Sequence, residues 1–277
     1  MTPALFLVTV FAISLGAGLL GSLLGLGGGI IVIPALTLLL HVDIRYAIGA
    51  SIISVIATSS GAAATYVREH MTNLRVAMFL EVATTTGALT GAYVAGIISG
   101  RWLYVIFGVV MAYSAIAMFR KRHQILGPVP PDRLAERLNL HGDYFDEATK
   151  EHISYRVTHT PVGFVLMYIA GLVSGLLGIG SGALKVPAMD LAMRLPIKVS
   201  TATSNFMIGV TAAASAGIYF ARGDINPFIA APVATGVLGG AAVGSHLLGR
   251  IQGSAIRVIF VLVLVWVSAE MLLKGIR

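Results

Sequence analysis

The sequence predicts an all-α polytopic membrane protein built from two repeated halves. Of its 277 residues, 57% are hydrophobic and only 11% are charged, whereas a soluble domain carries about 25% charged residues. Several apolar runs are long enough for a helix to cross a bilayer. Two glycine-rich stretches interrupt these runs at equivalent places. We therefore expect each half to hold a glycine-broken helix pair and three long transmembrane helices.

Charge and cysteine content narrow the classes of function. The formal net charge is +7, and lysine and arginine at membrane borders explain it without a nucleic-acid partner. There is no cysteine, which excludes disulfides, thiol chemistry and cysteine metal sites. The N-terminal apolar run has no basic residues before it, which argues against a cleaved signal peptide. The predicted surroundings are a lipid bilayer, and a bacterial plasma or inner membrane is expected.

The two glycine stretches define the repeat. The first reads GSLLGLGGGIIVIP over Gly21–Pro34, and the second reads SGLLGIGSGALKVP over Ser174–Pro187. Their prolines are 153 positions apart (187 − 34 = 153), and the same offset relates Asn73 to Asn226. Internal repeats of this kind are a recurrent signature of transporters.

Each glycine stretch is expected to break a membrane helix. A glycine inside a helix costs about 1 kcal/mol relative to alanine, and three follow one another at Gly27–Gly29. Pro34 then removes a backbone donor. One helix should therefore stop at the glycines and a short second helix should start there. The N-terminus of the second helix would present unpaired N–H groups and a positive dipole end, which suits an anion.

The remaining elements follow the repeat. The first membrane repeat covers residues 1–119, and its apolar runs are Pro3–Leu26, Ile30–Leu40, Ala47–Tyr66, Val76–Ile98 and Trp102–Phe119. The second membrane repeat covers residues 161–277, and its runs are Val162–Leu177, Ala183–Met193, Val199–Phe220, Pro227–Leu248 and Ala255–Leu273. The second run of each half is too short for a helical crossing, so we expect a half-helix there.

Two orientations of the halves remain open. If the broken pair crosses the bilayer twice, each half has an odd number of crossings and the halves are inverted. If the pair counts as one crossing, the halves are parallel. Basic residues lie at almost every border, so the positive-inside rule does not choose between the two. We expect inversion, because a binding site between inverted halves is a common transporter design.

Residues 120–160 are predicted to form a charged cytoplasmic linker between the halves. A basic triplet at 120–122 directly follows an apolar run, which indicates the cytoplasmic side. A short helix is expected over Asp132–Leu140, with Asp132 as its N-cap. Two interpretations stay open here: a solvated connection, or a regulatory or partner-binding segment.

The glycine break, the short arm with proline and the Ser/Thr-rich run, repeated after a charged linker, resemble the TauE/SafE family of sulfite-exporter-like permeases. The motifs are GLGGGIIVIPAL at Gly25–Leu36 and GIGSGALKVPAM at Gly178–Met189. The resemblance implies a secondary permease for sulfite, sulfonates, other sulfur oxyanions or small carboxylates. It also implies that paired glycine turns line the substrate site. On this sequence those turns are Gly27, Gly28, Gly29, Gly180 and Gly182.

Polar residues beside the glycines extend the predicted site. Ser181 stands where a third glycine of the second turn would be usual. Ser51 and Ser204 are repeat mates about one turn inside their runs, and Asn205 follows directly. Their side chains either donate to the anion or form bonds between helices and back to helix carbonyls.

Two charged residues within the apolar sequence are further candidates. Lys185, in the second short arm, is either the cationic pole of the site or a lysine that snorkels to an interface. Glu81 either relays a proton coupled to anion movement or pairs with a border arginine. Glu270 is expected to pair with Lys274 one turn later. Two more polar residues are expected at membrane borders: Asp190 and His246.

The leading functional hypothesis is a secondary transporter that moves a small anion, such as sulfite or another sulfur oxyanion or organosulfonate, by alternating access. The driving force would be the membrane potential or a proton gradient. An anion channel with the same site and a non-transporting membrane scaffold or assembly factor are the alternatives. No HExxH motif, nucleotide-binding loop or metal-ligand spacing occurs, so no enzyme, cofactor or metal is expected. The sequence leaves a homo-oligomer open.

Overall fold

The computed structural model describes residues 2–120, 131–248 and 250–276. The first half contains α1 (Pro3–Leu24), α2 (Gly29–Pro34), α3 (Ile44–Arg68), α4 (Leu74–Ala95) and α5 (Gly100–Arg120). The described part of the linker contains α6 (Arg133–Arg137), β1 (Gly142–Asp146) and β2 (Glu151–Tyr155). The second half contains α7 (Thr160–Leu177), α8 (Gly182–Pro187), α9 (Ile197–Ala221), α10 (Pro227–Leu248) and α11 (Gly253–Ile276).

The helices confirm an all-α polytopic membrane protein. Within the described residues, seven helices are long and apolar enough to cross a membrane: α1, α3, α5, α7, α9, α10 and α11. Helix α4 is 22 residues long, but Arg75, Glu81 and several threonines lower its hydropathy. Its crossing of the membrane stays a prediction.

Glycines end α1 and α7 at equivalent positions. Gly25 and Gly178 are the C-caps, with φ of 70° and 65°. This left-handed conformation is open to glycine because it has no Cβ. The same conformation recurs at Gly27 and Gly180, with φ of 78° and 74°. Ser181 takes the last left-handed position of the second break, with φ of 55°.

Prolines shape the two short arms. Helix α2 ends at Pro34 and α8 at Pro187, and each continues as a π-helical turn, Ala35–Leu39 and Ala188–Ala192. Proline lacks the N–H of a regular helical hydrogen bond, and a widened turn accommodates that loss. The first arm, Gly29–Leu39, is an apolar helix shorter than a full crossing, as the sequence predicts.

The halves interlock through small residues. Helix α1 packs along α10, and α7 packs along α4. Both pairs run in the same direction, since Ser14 lies beside Gly236 and Leu19 beside Gly244 in the first pair. A Cβ added to Gly240 would lie 1.9 Å from a backbone oxygen of α1. Glycine is therefore what allows the two backbones to approach.

Helices α3 and α9 run in opposite directions. Gly49, near the start of α3, lies against Asp224 just after α9. Beyond the end of α3, the N–H of Asn73 donates to the hydroxyl of Thr203 near the start of α9, at 3.1 Å. These contacts support the inverted arrangement over the parallel one. The internal repeat itself stays a prediction.

The described part of the linker folds against the bundle, and we term residues 131–157 the cap. Asp132 is the N-cap of α6, as predicted, and it accepts hydrogen bonds from Leu134 and Ala135. The β1–β2 hairpin was not predicted, because its strands of five residues each show no clear apolar alternation. The basic residues 121–122 and Pro130 lie outside the described residues, so the evidence for the cytoplasmic side is not tested.

Side chains hold the cap on the helix ends. The ammonium of Lys198 is buried and lies 2.7 Å from the Asp146 carboxylate. Burial acts to raise the pKa of Asp146, but the hydrogen bonds from Lys198 and backbone N–H groups outweigh it and hold that pKa below its usual range. The side-chain amide of Asn73 donates to the Leu140 carbonyl oxygen at 2.8 Å and to the Tyr155 hydroxyl at 2.9 Å. These contacts dock the described part of the linker on the bundle, while many of its residues stay exposed to solvent.

Candidate functional site

The two glycine breaks meet at the centre of the bundle. A Cβ added to Gly182 would lie 1.9 Å from the carbonyl oxygen of Gly25, so the backbones of the two breaks are in direct contact. Val55 of α3 and Ile208 of α9 border the glycine turns of both breaks. The structure thus brings together the glycines that the sequence predicts as a pair of turns.

Ser51 and Ser204 connect each half to the break of the other half. The Ser51 hydroxyl donates to the carbonyl oxygen of Gly178 at 2.7 Å, and the Ser204 hydroxyl donates to that of Gly25 at 2.9 Å. The two acceptors are the C-cap carbonyls of α7 and α1, which lack helical partners. Two roles were expected for these hydroxyls, and the structure shows the hydrogen bond between helices.

Ser181 and Asn205 are also occupied by backbone partners. The Ser181 hydroxyl donates to the carbonyl oxygen of Gly180 at 2.8 Å. The side-chain amide of Asn205 donates to the Ser22 carbonyl oxygen, near the end of α1. The Asn205 Oδ1 atom is buried and has no hydrogen-bond partner in the described part of the chain. It can accept a hydrogen bond but cannot donate to an anion.

Backbone amides at the start of the short arms are the remaining donors. In the part of the chain that the structure covers, the N–H groups of Ile30, Gly182 and Ala183 have no hydrogen-bond partner. Unpaired donors are expected in the first turn of a helix. These N–H groups therefore lack the hydrogen bonds that an anion could supply.

A buried ion pair lies beside the second break. Lys185 is 0% exposed, and its ammonium donates to the Thr211 hydroxyl at 2.6 Å. The same ammonium lies 3.8 Å from Oε2 of Glu81 on α4. Thr211 in turn donates to Oε1 of Glu81 at 2.7 Å. Lys185 therefore does not snorkel to an interface.

Glu81 does not pair with a border arginine. Arg75, the arginine of α4, donates to the carbonyl oxygen of Asn139 in the cap at 3.0 Å. The Glu81 side chain is 12% exposed, and the Thr85 hydroxyl also donates to its Oε1, at 3.0 Å. Its buried Oε2 accepts no hydrogen bond from any described residue. Lys185 is thus its counter-charge.

The first break lacks this charge. The repeat offset matches Lys185 to Val32 and Thr211 to Thr58. The Thr58 hydroxyl donates to the carbonyl oxygen of Ser54 in its own helix, at 2.8 Å. The polar position of the second break is therefore apolar in the first.

The prediction that Glu270 pairs with Lys274 is wrong. Among the residues described, no ion pair joins them; the Lys274 ammonium donates to the carbonyl oxygen of Thr37 and lies 5.3 Å from the ring centre of Tyr104. The reason is the π-helical turn at Ala35–Leu39, which ends the first arm and leaves carbonyl groups that a cation can satisfy.

Two predicted border residues lie at helix ends. Asp190 is paired with Arg257 at 2.7 Å, and the exposed His246 ring contacts the carbonyl oxygen of Ala242 at 2.7 Å. No cluster of His, Asp and Glu side chains that could hold a metal occurs in the described ranges.

Thr211 was not identified from the sequence, and neither were the two tyrosines, Tyr66 and Tyr219, that donate hydrogen bonds to the helix ends at the breaks. Thr211 follows Ser204 by seven residues, which places both on one face of α9, and this spacing could have found it. The hydroxyl of Tyr66 donates to the Ser22 carbonyl oxygen at 3.0 Å, and that of Tyr219 donates to the Gly175 carbonyl oxygen at 2.6 Å. The repeat offset already relates these tyrosines and could have pointed to them.

Comparisons with known proteins give a consistent result. A family model described as sulfite exporter TauE/SafE matches residues 10–271. "Probable membrane transporter protein YunE" of Bacillus subtilis (strain 168) is 28% identical over 97% of this chain and 98% of its own length. A "Probable membrane transporter protein" of Xylella fastidiosa (strain 9a5c) is 28% identical over 86% of this chain and 84% of its own length. No solved structure gives a significant match.

Proposed function

The chain belongs to the sulfite exporter TauE/SafE family, and we propose that it is a secondary transporter of a small anion, such as sulfite or another sulfur oxyanion or organosulfonate. Its family and its relatives make it a multi-pass membrane transporter. The anion, the binding residues and the mechanism are our proposal. A transporter role also fits a chain without an enzyme motif.

The observation that carries the proposal is the meeting of two glycine breaks beside one buried lysine. Removing water from an anion is costly unless donors replace the lost hydration. The unpaired N–H groups of Ile30, Gly182 and Ala183 are such donors, and Lys185 adds a positive charge in their vicinity. We assign the substrate site to Gly27, Gly28, Gly29, Gly180, Ser181, Gly182 and Lys185.

The serine bonds suggest how the site changes between states. Ser51 and Ser204 each hold the break of the opposite half, at 2.7 Å and 2.9 Å. In an alternating-access cycle of inverted halves, one half rocks against the other, and these bonds between halves are the ones that exchange. Released hydroxyls and the side-chain amide of Asn205 then become donors for the anion. Glu81 is the candidate for proton coupling.

The first test is anion binding to the purified protein. A ligand that binds only the folded state raises the thermal midpoint by mass action. We expect one class among sulfite, sulfate, thiosulfate, small sulfonates, acetate and chloride to raise the midpoint selectively. The variant Gly28→Leu should lose this effect, because its side chain would enter the first break near the Thr58 hydroxyl. A midpoint that no anion raises at millimolar concentration would contradict the proposal.

The second test separates a transporter from a channel and from a scaffold. In proteoliposomes, flux of the stabilising anion should saturate, and the same anion on the far side should accelerate it. Flux that rises linearly with concentration and ignores the far side would identify a channel. Absence of flux together with absence of binding would identify a scaffold or assembly factor.

A further inference from the structure

We infer that Lys185 changes partner from Glu81 to the transported anion, so that the protein carries one monovalent anion together with one proton. This inference rests on the proposed function and concerns the same site. It assigns proton coupling to Glu81 Oε2, a positioning role to Thr211, and a preference for singly charged substrates. The argument rests on the number of buried charges.

The empty site is electrically neutral. Lys185 is fully buried, and Glu81 Oε2 at 3.8 Å is the acidic atom within ion-pair distance of its ammonium in the described residues. A buried charge is tolerated only when it is paired, because removing one partner leaves an uncompensated charge. The pair therefore persists until another anion takes the place of Glu81.

The other elements around Glu81 offer no replacement charge. Helix α7 carries no charged residue. In α9 the sole charged residue is Lys198, which pairs with Asp146 at 2.7 Å. Arg75 of α4 itself bonds the cap through Asn139. Within the described chain, Glu81 that loses Lys185 has hydroxyl partners but no cation.

The lysine lies where an arriving anion can compete for it. Lys185 is three residues after Gly182, one turn into α8, and the N–H groups of Gly182 and Ala183 are unpaired. An anion that binds these amides comes close to the ammonium. The Thr211 hydroxyl accepts from Lys185 and donates to Glu81, and the bond that has to open is the one from Lys185.

Charge balance then requires a proton. An ionised Glu81 without its cation would be a lone buried charge, which is strongly unfavourable. Oε2, which accepts no hydrogen bond from the described residues, takes up a proton from the aqueous side on which the site is open. Oε1 keeps the hydrogen bonds from Thr85 and Thr211. Lysine, anion and neutral acid again sum to zero, as lysine and glutamate do in the empty site.

The same balance of buried charges predicts which anions are preferred as substrates. A monovalent anion, such as hydrogensulfite, a sulfonate or a carboxylate, leaves the occupied site neutral. A divalent anion such as sulfate or thiosulfate would leave one uncompensated negative charge in the protein interior. Both the empty and the loaded site therefore cross the membrane without net charge. Transport should be driven by the pH gradient and be insensitive to membrane potential.

The experiment uses the full-length protein in liposomes with sulfite, methanesulfonate, acetate and sulfate as probes. It records anion uptake, internal pH and the effect of an imposed potassium diffusion potential. For the anion with the highest flux we expect about one proton per anion, and a rate that a potential of 100 mV changes less than twofold. A lone monovalent anion would instead be biased about 50-fold by that potential.

Variants of Glu81 and Thr211 then separate proton coupling from positioning. Glu81→Gln cannot carry the proton, so uptake driven by the pH gradient should fall at least tenfold, and thermal stabilisation by the anion checks that the variant is folded. Thr211→Val should lower the ratio of protons to anions, and Thr211→Ser should restore it. The matched controls are Thr58→Val, at the equivalent threonine of the first half, and Glu270→Gln, which has no ion pair within the described residues.

The outcomes distinguish a failure of the proposed function from a failure of the exchange of partners at Lys185. If no probe is transported or raises the thermal midpoint, the proposed function fails and this inference fails with it. If an anion is transported with saturation but without protons, the transporter stands and the exchange of partners is overturned. Preference for sulfate over methanesulfonate, or unchanged proton coupling in Glu81→Gln, would also overturn the exchange.

Discussion

The two glycine breaks end their helices in the same backbone conformation but differ in the side chains that follow. Both α1 and α7 end on a left-handed glycine, and a serine from the other half bonds each C-cap carbonyl. One turn further on, the first break has Val32 and the second has the buried Lys185. The acid that pairs with Lys185 also lacks a counterpart. At the position of Glu81, the repeat places an alanine of α10, Ala230 or Ala234 depending on the register.

This difference separates what the backbone requires from what the substrate requires. Close contact between the breaks needs glycine at position 182, because an added Cβ there would lie 1.9 Å from the Gly25 carbonyl oxygen of the other break. A single anion needs one positive charge, and a second buried lysine would need a counter-charge of its own. The two breaks therefore share the left-handed glycine C-caps, and the buried lysine is confined to one half.

The largest effect on stability is expected for Gly182→Ala. Its Cβ would lie 1.9 Å from the Gly25 carbonyl oxygen, which is backbone and cannot move aside. We expect a loss of about 3 kcal/mol in the free energy of unfolding. In the first break, the Cβ of Gly29→Ala would lie 2.2 Å from the Ser51 hydroxyl, which can rotate, so a loss of about 1 kcal/mol is expected. Reversible unfolding in detergent measures both losses.

The control for this pair is Gly217→Ala in α9, where an added Cβ meets no atom within 4 Å. It should lose no stability, and the higher helix propensity of alanine should raise its free energy of unfolding by up to about 1 kcal/mol. Equal losses for the alanine variants at positions 29 and 182 would show that the two breaks are not packed as described.

The second prediction concerns the cap, which covers the bundle end where α9 begins. Lys198 pairs with Asp146 there, whereas its repeat mate Arg45 is exposed. Because the pKa of Asp146 is lowered in the folded protein, the stabilisation is fully present above about pH 4 and is lost as the pH falls through that lowered pKa. Asp146→Asn should weaken cap docking by about 2 kcal/mol at neutral pH. A fluorescent label on Lys150→Cys, in a chain without other cysteines, reports docking by anisotropy.

Adding Lys198→Met to Asp146→Asn should recover part of the loss, because no buried charge is then left unpaired. The control Asp143→Asn changes an exposed residue of the same strand and should have no effect. If cap docking changed with pH as strongly between pH 5 and 8 as it does below pH 4, this would contradict the pairing of Lys198 with Asp146.

A smaller and matched effect is expected for the two serines. Ser51→Ala and Ser204→Ala each leave one buried carbonyl without its donor, which costs roughly 1 to 2 kcal/mol. The two losses should agree within about 0.5 kcal/mol, because the bonds are equivalent. Ser60→Ala, an exposed serine that bonds only the Ile56 carbonyl oxygen in its own helix, should change little. Thermal unfolding of the three variants in one detergent gives the comparison, and a loss confined to one break would contradict the equivalence.

The sequence predicts much of this fold because glycine and proline act locally. Gly25 and Gly178 each end a helix within an apolar run, and Pro34 and Pro187 mark where α2 and α8 give way to a π-helical turn. The constant offset then extends each element from one half to the other. A charge in apolar sequence also singled out Lys185, which the structure places in a buried ion pair with Glu81.

The remainder depends on contacts between distant parts of the chain. No local pattern indicates that Ser51 bonds Gly178 and not an anion, or that Thr211 bridges Lys185 to Glu81. The β1–β2 hairpin was missed for the same reason, since Lys198 and Asn73 of distant segments hold it and its own strand propensity is weak. The wrong pairing of Glu270 followed from sequence spacing alone.

The central claim is that the second break, and not the first, provides the charge for the anion. The most direct measurement compares anion-induced thermal stabilisation in Lys185→Met and Val32→Met, which place the same side chain at equivalent positions of the two breaks. We predict that Val32→Met keeps the stabilisation and that Lys185→Met loses it while still folding. Equal stabilisation of the two variants, or a loss confined to Val32→Met, would contradict this account.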